Sequence, residues 1–281
     1  MPETYGAVRI AAISDIHIGK ESAGSLQSIL TQAAEQADVL VICGDLTDYG
    51  LPEEARVLAK ELATVNRMPM VGVLGNHDYE SGRQDEICAI LSDAGLKVLD
   101  GDSFETHGVG FAGVKGFAGG FGRGALGPWG EPIIKQFVHE AVNESLKLET
   151  ALARLRSHHK IALLHYSPVR QTVEGEPPEI FPYLGCSRLE EPLQRYDVFA
   201  VVHGHAHNGS LEGTTARGVP VYNVAMPLLR KRFPDRAPFR VIEIPLGLPD
   251  RRGTGEEQRV TSEDGPPPSP VPPPVETTVG R

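Results

Sequence analysis

Five apolar runs of strand length, each ending in residues that bind metals, constrain this chain more than any other feature. They are VRIAAIS (8–14), DVLVIC (38–43), MVGVL (70–74), KIALL (160–164) and VFAVV (198–202). Their unbroken apolar character predicts strands buried on both faces. Helical patterns separate the first three. Leu26, Ile29, Leu30, Ala33 and Ala37 share one helical face, and Ala55, Leu58, Leu62 and Val65 share another, led by Pro52, Glu53 and Glu54 as a first turn should be. Such alternation of strand and helix predicts an α/β fold built on a layered sheet. Further helices are expected over 84–95 and roughly 132–157, a hairpin over 102–115 turning at Thr106 to Gly108, and later strands in TTARGVPVYNVAM and FRVIEIP.

The five runs end, in order, in Asp15 and His17 of SDIHIG, Asp45 and Asp48 of CGDLTD, Asn76, His77 and Asp78 of GNHD, His165 of LLHYSP, and His203, His205 and His207 of VVHGHAH. Ligands collect at the carboxyl ends of buried strands in open layered sheets, so all five ends are expected to meet at one site. If VVHGHAH continues as a strand, its three imidazoles fall on one side. Gly204 between them would let the backbone bend there.

Carboxylates, imidazoles and one amide oxygen, with no thiolate among them, suit Mn, Fe, Zn, Ni or Co and exclude a structural cysteine-zinc site. Asp15, His17, Asp45, Asn76, His165, His205 and His207 make seven candidate ligands, too many for one ion. Two transition-metal ions bridged by a carboxylate would use all seven and leave positions for substrate. That is the pattern of a hydrolytic dinuclear centre.

The ordered set DxH, GDxxD, GNHD, a lone His after a strand, and GHxH resembles the calcineurin-like metallophosphoesterases, over Asp15 to His207. The resemblance implies a four-layer α/β/β/α sandwich, two mixed sheets flanked by helices. It implies that Asp15, His17 and His207 hold one metal, that Asn76, His165 and His205 hold the other, and that Asp45 bridges them. It assigns His77 no metal: as in the family, that imidazole stabilises the transition state or protonates the leaving oxygen. Asp48 and Asp78 would orient these groups from behind or cap a turn, and His203 would be hydrogen-bonded beneath the site. The expected activity is hydrolysis of a small phosphorylated substrate. A phosphodiester is favoured, the motif set being similar to the bacterial branch with cyclic-nucleotide phosphodiesterases, with phosphomonoesterase or protein phosphatase as the alternative. A noncatalytic metal-binding scaffold is the reading from another class; it would have shed ligands, and this sequence keeps every one.

A formal charge of −10 works against nonspecific binding to nucleic acid or an anionic membrane surface. Two divalent ions less Asp15, Asp45 and a bridging hydroxide would leave the centre about +1, one electropositive spot on an acidic chain. Cys43, Cys88 and Cys186 show no CxxC spacing and read as reduced core thiols. No apolar run approaches the ~18 residues of a membrane span, so a cytoplasmic location is expected. Residues 1–248 read as the phosphoesterase domain. Residues 249–281, with PPPSPVPPP, read as a disordered proline-rich tail. GFAGGFGRGALGPWGEP (116–132) reads as a mobile loop carrying Trp129, with substrate choice expected there and in Arg123, Arg170 or the Arg230, Lys231, Arg232 cluster. His107, His139, His158 and His159 are expected to be solvated or capping groups.

Overall fold

The computed structural model describes residues 6–246 apart from Asn66; the expected proline-rich tail lies outside the described residues. The chain begins β1 (Ala7–Ile13), α1 (Gln27–Gln36), β2 (Val39–Cys43), α2 (Pro52–Leu62), β3 (Met70–Val73), α3 (Gln84–Asp93) and β4 (Leu96–Val98). It continues through the hairpin β5 (Asp102–Thr106) and β6 (Val109–Gly113), the long helix α4 (Pro132–Arg154) and β7 (His159–Leu163). Two one-turn helices, α5 (Phe181–Leu184) and α6 (Glu190–Leu193), precede β8 (Ala200–His203), β9 (Glu212–Thr214), β10 (Pro220–Asn223), α7 (Met226–Arg232) and β11 (Arg240–Pro245).

The strands form two mixed sheets, ordered β11-β1-β2-β3-β4 and β5-β6-β7-β8-β10-β9. Alternate side chains of each strand enter different cores. In β1, Ile10 and Ala12 join Val41, Val73, Phe111, Leu163 and Val202 in the core between the sheets. Their neighbours Ala11 and Ile13 face α1 to α3 with Leu40, Leu58, Leu62, Ile87 and Leu91. On the outer face of the second sheet, Ala112, Ala162 and Val201 meet Leu148 and Leu152 of α4. Every central strand is therefore covered twice, which is why the five runs carry no polar alternation. The result is the expected helix, sheet, sheet, helix sandwich.

Two expectations needed correction. The last of the five strands stops at His203, so VVHGHAH does not run on as a strand with three imidazoles on one face. The Gly-rich loop is tied down: Gly119 N–H donates to Pro182 O (2.7 Å), Gly120 N–H to Gly185 O (2.8 Å) and Ser187 N–H to Gly120 O (3.1 Å). Trp129, beyond this seam, is 68% exposed. Arg230, Lys231 and Arg232 form the last turn of α7, where cations complement the helix dipole, and all three are exposed.

Candidate metal centre

The ends of β1, β2, β3, β7 and β8 approach one point because their loops continue to pair beyond the strands. Asp15 N–H donates to Gly44 O (3.0 Å) and His17 N–H to Asp45 O (3.0 Å), carrying the β1–β2 pairing into both motifs. Five described non-glycine residues have positive φ, and four are Asp15 (56°), His17 (43°), Asp45 (48°) and His205 (69°). Left-handed backbone at such residues is held only where the surroundings over-determine it, and it gathers at functional sites. The fifth, His107, turns the β5–β6 hairpin as expected. Gly204 has no such φ. It gives room instead, since a Cβ there would run into Ser14 Oγ and Asp15 Oδ2.

Two groups of ligand atoms lie side by side. Asp15, His17 and His207 bring one ligand atom each within 4.8 Å of one another, and so do Asp45, His165 and His205. A third such group, His17, Asp45 and His77, overlaps both. Asn76 completes the second group, its Oδ1 3.0 Å from His165 Nε2, which is also 3.3 Å from Asp45 Oδ1. His207 Nε2 stands 2.9 Å from Asp15 Oδ1.

Main-chain carbonyls decide which nitrogen each imidazole presents, because a carbonyl only accepts. His165 Nδ1–H donates to Cys43 O (2.9 Å), which turns Nε2 toward Asn76 and Asp45. His205 Nε2–H donates to Tyr183 O (3.2 Å), which leaves Nδ1 for the cluster. His77 Nδ1–H donates to Asp48 O (2.7 Å), which leaves Nε2 free. These carbonyls were not foreseen; a backbone acceptor has no residue-type signature. Tyr166 was also missed, although it follows His165 directly: its ring packs 4.5 Å from that of His205.

The residues assigned to the ring behind the ligands divide by role. Asp78 is fully buried and accepts from Leu46 N–H (3.2 Å), Thr47 N–H (2.8 Å), Thr47 Oγ1–H (2.6 Å) and Gly75 N–H (2.8 Å), clamping the GD loop to the GNHD loop. Asp48 acts through its carbonyl, its carboxylate lying 3.7 Å from His17 Nδ1. His203 is buried beneath the site, its Nδ1–H donating to Gly204 O (2.8 Å) and its Nε2 accepting from Thr172 Oγ1–H (2.8 Å).

The electrostatics are those of a site built for cations. Burial opposes ionisation of Asp15, yet the hydrogen bond from His207 and the charge of His165 hold its carboxyl far below the carboxylate range. Burial would discharge His165, but Asp45 beside it raises it to about 9. Asp78 is pushed up to about 6 by burial and by Asp45. His17 Nε2 is buried without a hydrogen-bond partner. A buried polar atom left bare costs about 1–3 kcal/mol, and this one belongs to a group of three converging donors. Two oxygen-and-nitrogen donor sets, one orphaned imidazole nitrogen and no thiolate fit a pair of transition-metal ions.

Comparison with known proteins agrees with this geometry. Residues 8–209 match the model of the calcineurin-like phosphoesterase family. A zebrafish (Danio rerio) transmembrane protein with metallophosphoesterase domain is 33% identical over 102 residues, 35% of this chain. The chain covers 23% of the length of that curated relative. No helix among the described residues is long and apolar enough to cross a membrane. Among solved structures, phosphopantetheinyl hydrolase from Mycobacterium tuberculosis superposes with a TM-score of 0.58 at 18% identity, covering 88% of this chain and 98% of that one. TT1561 of Thermus thermophilus superposes at 0.50 and 15% identity, over 85% and 98%. These two share the fold. The five strand-end motifs, the two-sheet sandwich that gathers them and the match over residues 8–209 place the chain in the calcineurin-like phosphoesterase family.

Proposed function

We infer that the chain is a dinuclear metal-dependent phosphoester hydrolase acting on phosphodiesters. The observation that carries this reading is the pair of ligand groups, Asp15, His17, His207 and Asp45, His165, His205, with His77 beside His17 and Asp45. In this reading the first group holds one ion, and Asn76, His165 and His205 hold the other. Asp45 is shared; its Oδ1 lies 3.3 Å from His165 Nε2 and its Oδ2 3.8 Å from His17 Nε2. Bound there, two ions would supply Lewis acidity and an activated water. The residues supply orientation and a proton. Cys43 O and Tyr183 O fix the two imidazoles of the second group before any ion arrives. His77, held by Asp48 O and 35% exposed at its side chain, would use Nε2 to stabilise the transition state or to exchange a proton with the leaving oxygen.

Charge favours a diester over a monoester. The groups acting most strongly on Asp15, Asp45, His165 and His207 are one another, with no lysine or arginine among them. A diester's single charge needs only the ions, whereas a monoester dianion calls for further cations. Three free thiols, two of them buried, support a reducing compartment such as the cytoplasm. The test is turnover of bis(4-nitrophenyl) phosphate and 4-nitrophenyl phosphate by stripped protein with Mn, Fe, Co, Ni or Zn restored. Metal-dependent turnover with the diester preferred supports the reading, and no turnover with any metal rejects it.

A further inference from the structure

A cavity of about 650 Å3 lies outside the ligand cluster. Its walls are the Gly-rich loop at Phe121 to Gly124, the 3-10 turn Arg170–Val173, the start of α6 and the end of β9. Small-molecule sites span roughly 300–1,000 Å3, so the volume is that of a ligand site. None of the proposed metal ligands lines it.

The lining is rich in donors. Arg123 forms no ion pair among the described residues. Arg170 pairs with Glu174 at 3.6 Å, both side chains more than half exposed, a pair weak enough to yield to a better anion, and its guanidinium lies 5.6 Å from the Phe181 ring. Gln171 Oε1 accepts from Thr214 N–H (3.2 Å), which leaves its amide N–H groups to donate outward. Ser187 Oγ accepts from Gly122 N–H (2.8 Å), which leaves its own O–H to donate. Against these stand Glu174 and Glu190, and one oxygen of Glu190 is taken by Ala216 N–H. The two arginines and the two carboxylates cancel in formal charge, so the pull on an anion comes from Arg123, which no carboxylate pairs among the described residues, together with the donors of Gln171 and Ser187. Phe121 gives the cavity an apolar wall, braced by Phe181, Leu184 and Val173.

The cavity also adjoins the histidine loop. Thr172, from the same 3-10 turn as Arg170, bonds His203, and Val173 packs with Ala206 between His205 and His207. The backbone seam between the Gly-rich loop and residues 182–187 fixes the walls in advance, which lowers the cost of binding.

The geometry points to a second binding site in this cavity, one for an organic phosphate: Arg123 and Arg170 grip the anion and Phe121 receives the body of the molecule. This goes beyond the hydrolase reading and does not require it. The same chemistry would be presented by the far arm of an extended substrate or by a separate nucleotide.

The test is isothermal titration of the metal-loaded full chain with ADP and with adenosine. ADP should bind, adenosine should bind more weakly by roughly tenfold or more, and Arg123→Ala should weaken ADP by a similar factor while Arg123→Lys keeps part of the affinity. Arg123 is exposed, so the substitution should leave the thermal midpoint in place. Equal binding of ADP and adenosine, or ADP affinity unchanged in Arg123→Ala, overturns the proposal. ADP that competes with an aryl phosphodiester marks the far arm of a substrate, and ADP that binds without competing marks a separate ligand. Arg123-dependent ADP binding by a chain with no turnover would reject the hydrolase and keep this site.

Discussion

His77 has one nitrogen committed to Asp48 O and the other free, an arrangement that suits the proton transfer proposed for it. Replacing it with alanine should lower turnover by roughly 10²–10⁴ while metal content stays at the wild-type value. Loss of metal in that variant would make it a ligand. Asp45→Ala should lose metal as well as rate, since Asp45 belongs to two of the three ligand groups. His203 makes a prediction of another kind. Burial drives its imidazole down to about 4, so the folded state holds it neutral while the unfolded chain takes up a proton below the usual value of 6.5. The stabilisation is present above pH 6.5 and lost as pH falls toward 4, with about 3 kcal/mol at stake. Urea unfolding at pH 5 and pH 7 should show a smaller difference for His203→Gln than for wild type; an equal difference would contradict the assignment.

Loops, held by their neighbours, set the accuracy of the centre. Asp78 joins the loop after β2 to the loop after β3, and Asp78→Ala would strip four buried donors of their acceptor, at about 1–3 kcal/mol for each left bare. Its thermal midpoint should fall well below that of wild type, and an unchanged midpoint would show that water replaces the carboxylate. The elements most legible in the sequence were those with the longest apolar signal. Both faces are buried along β2 and β3 and over the carboxyl-terminal parts of β1 and β7, so composition marks the strand and the first polar residue marks its end. Period-two reasoning failed at VVHGHAH because a positive φ at His205 resets the direction of the chain, and imidazole side chains do not announce such a turn. Three-residue β4 and β9 and the one-turn helices α5 and α6 are too short for periodicity to register. The Gly-rich loop is pinned through its own main-chain groups, to backbone and to side chains elsewhere, which is why its glycines read as freedom.

Among the described residues, two sheets share one apolar core, with the candidate site at their strand ends. Phe111, fully buried between the sheets, contacts that core from the second sheet. Phe111→Ala should cost about 3–5 kcal/mol and leave a single unfolding transition, because neither sheet keeps a covered inner face without the other; two separated transitions would show independent halves. The seven proposed ligands come from positions as far apart as Asp15 and His207, so the fold itself assembles the chemistry. Diffraction at the manganese edge from crystals grown with Mn tests that claim most directly. The account predicts two anomalous peaks about 3.5–4 Å apart, one among Asp15, His17 and His207, the other among Asn76, His165 and His205, with Asp45 between them. A single peak, or peaks away from Asp45, would contradict it.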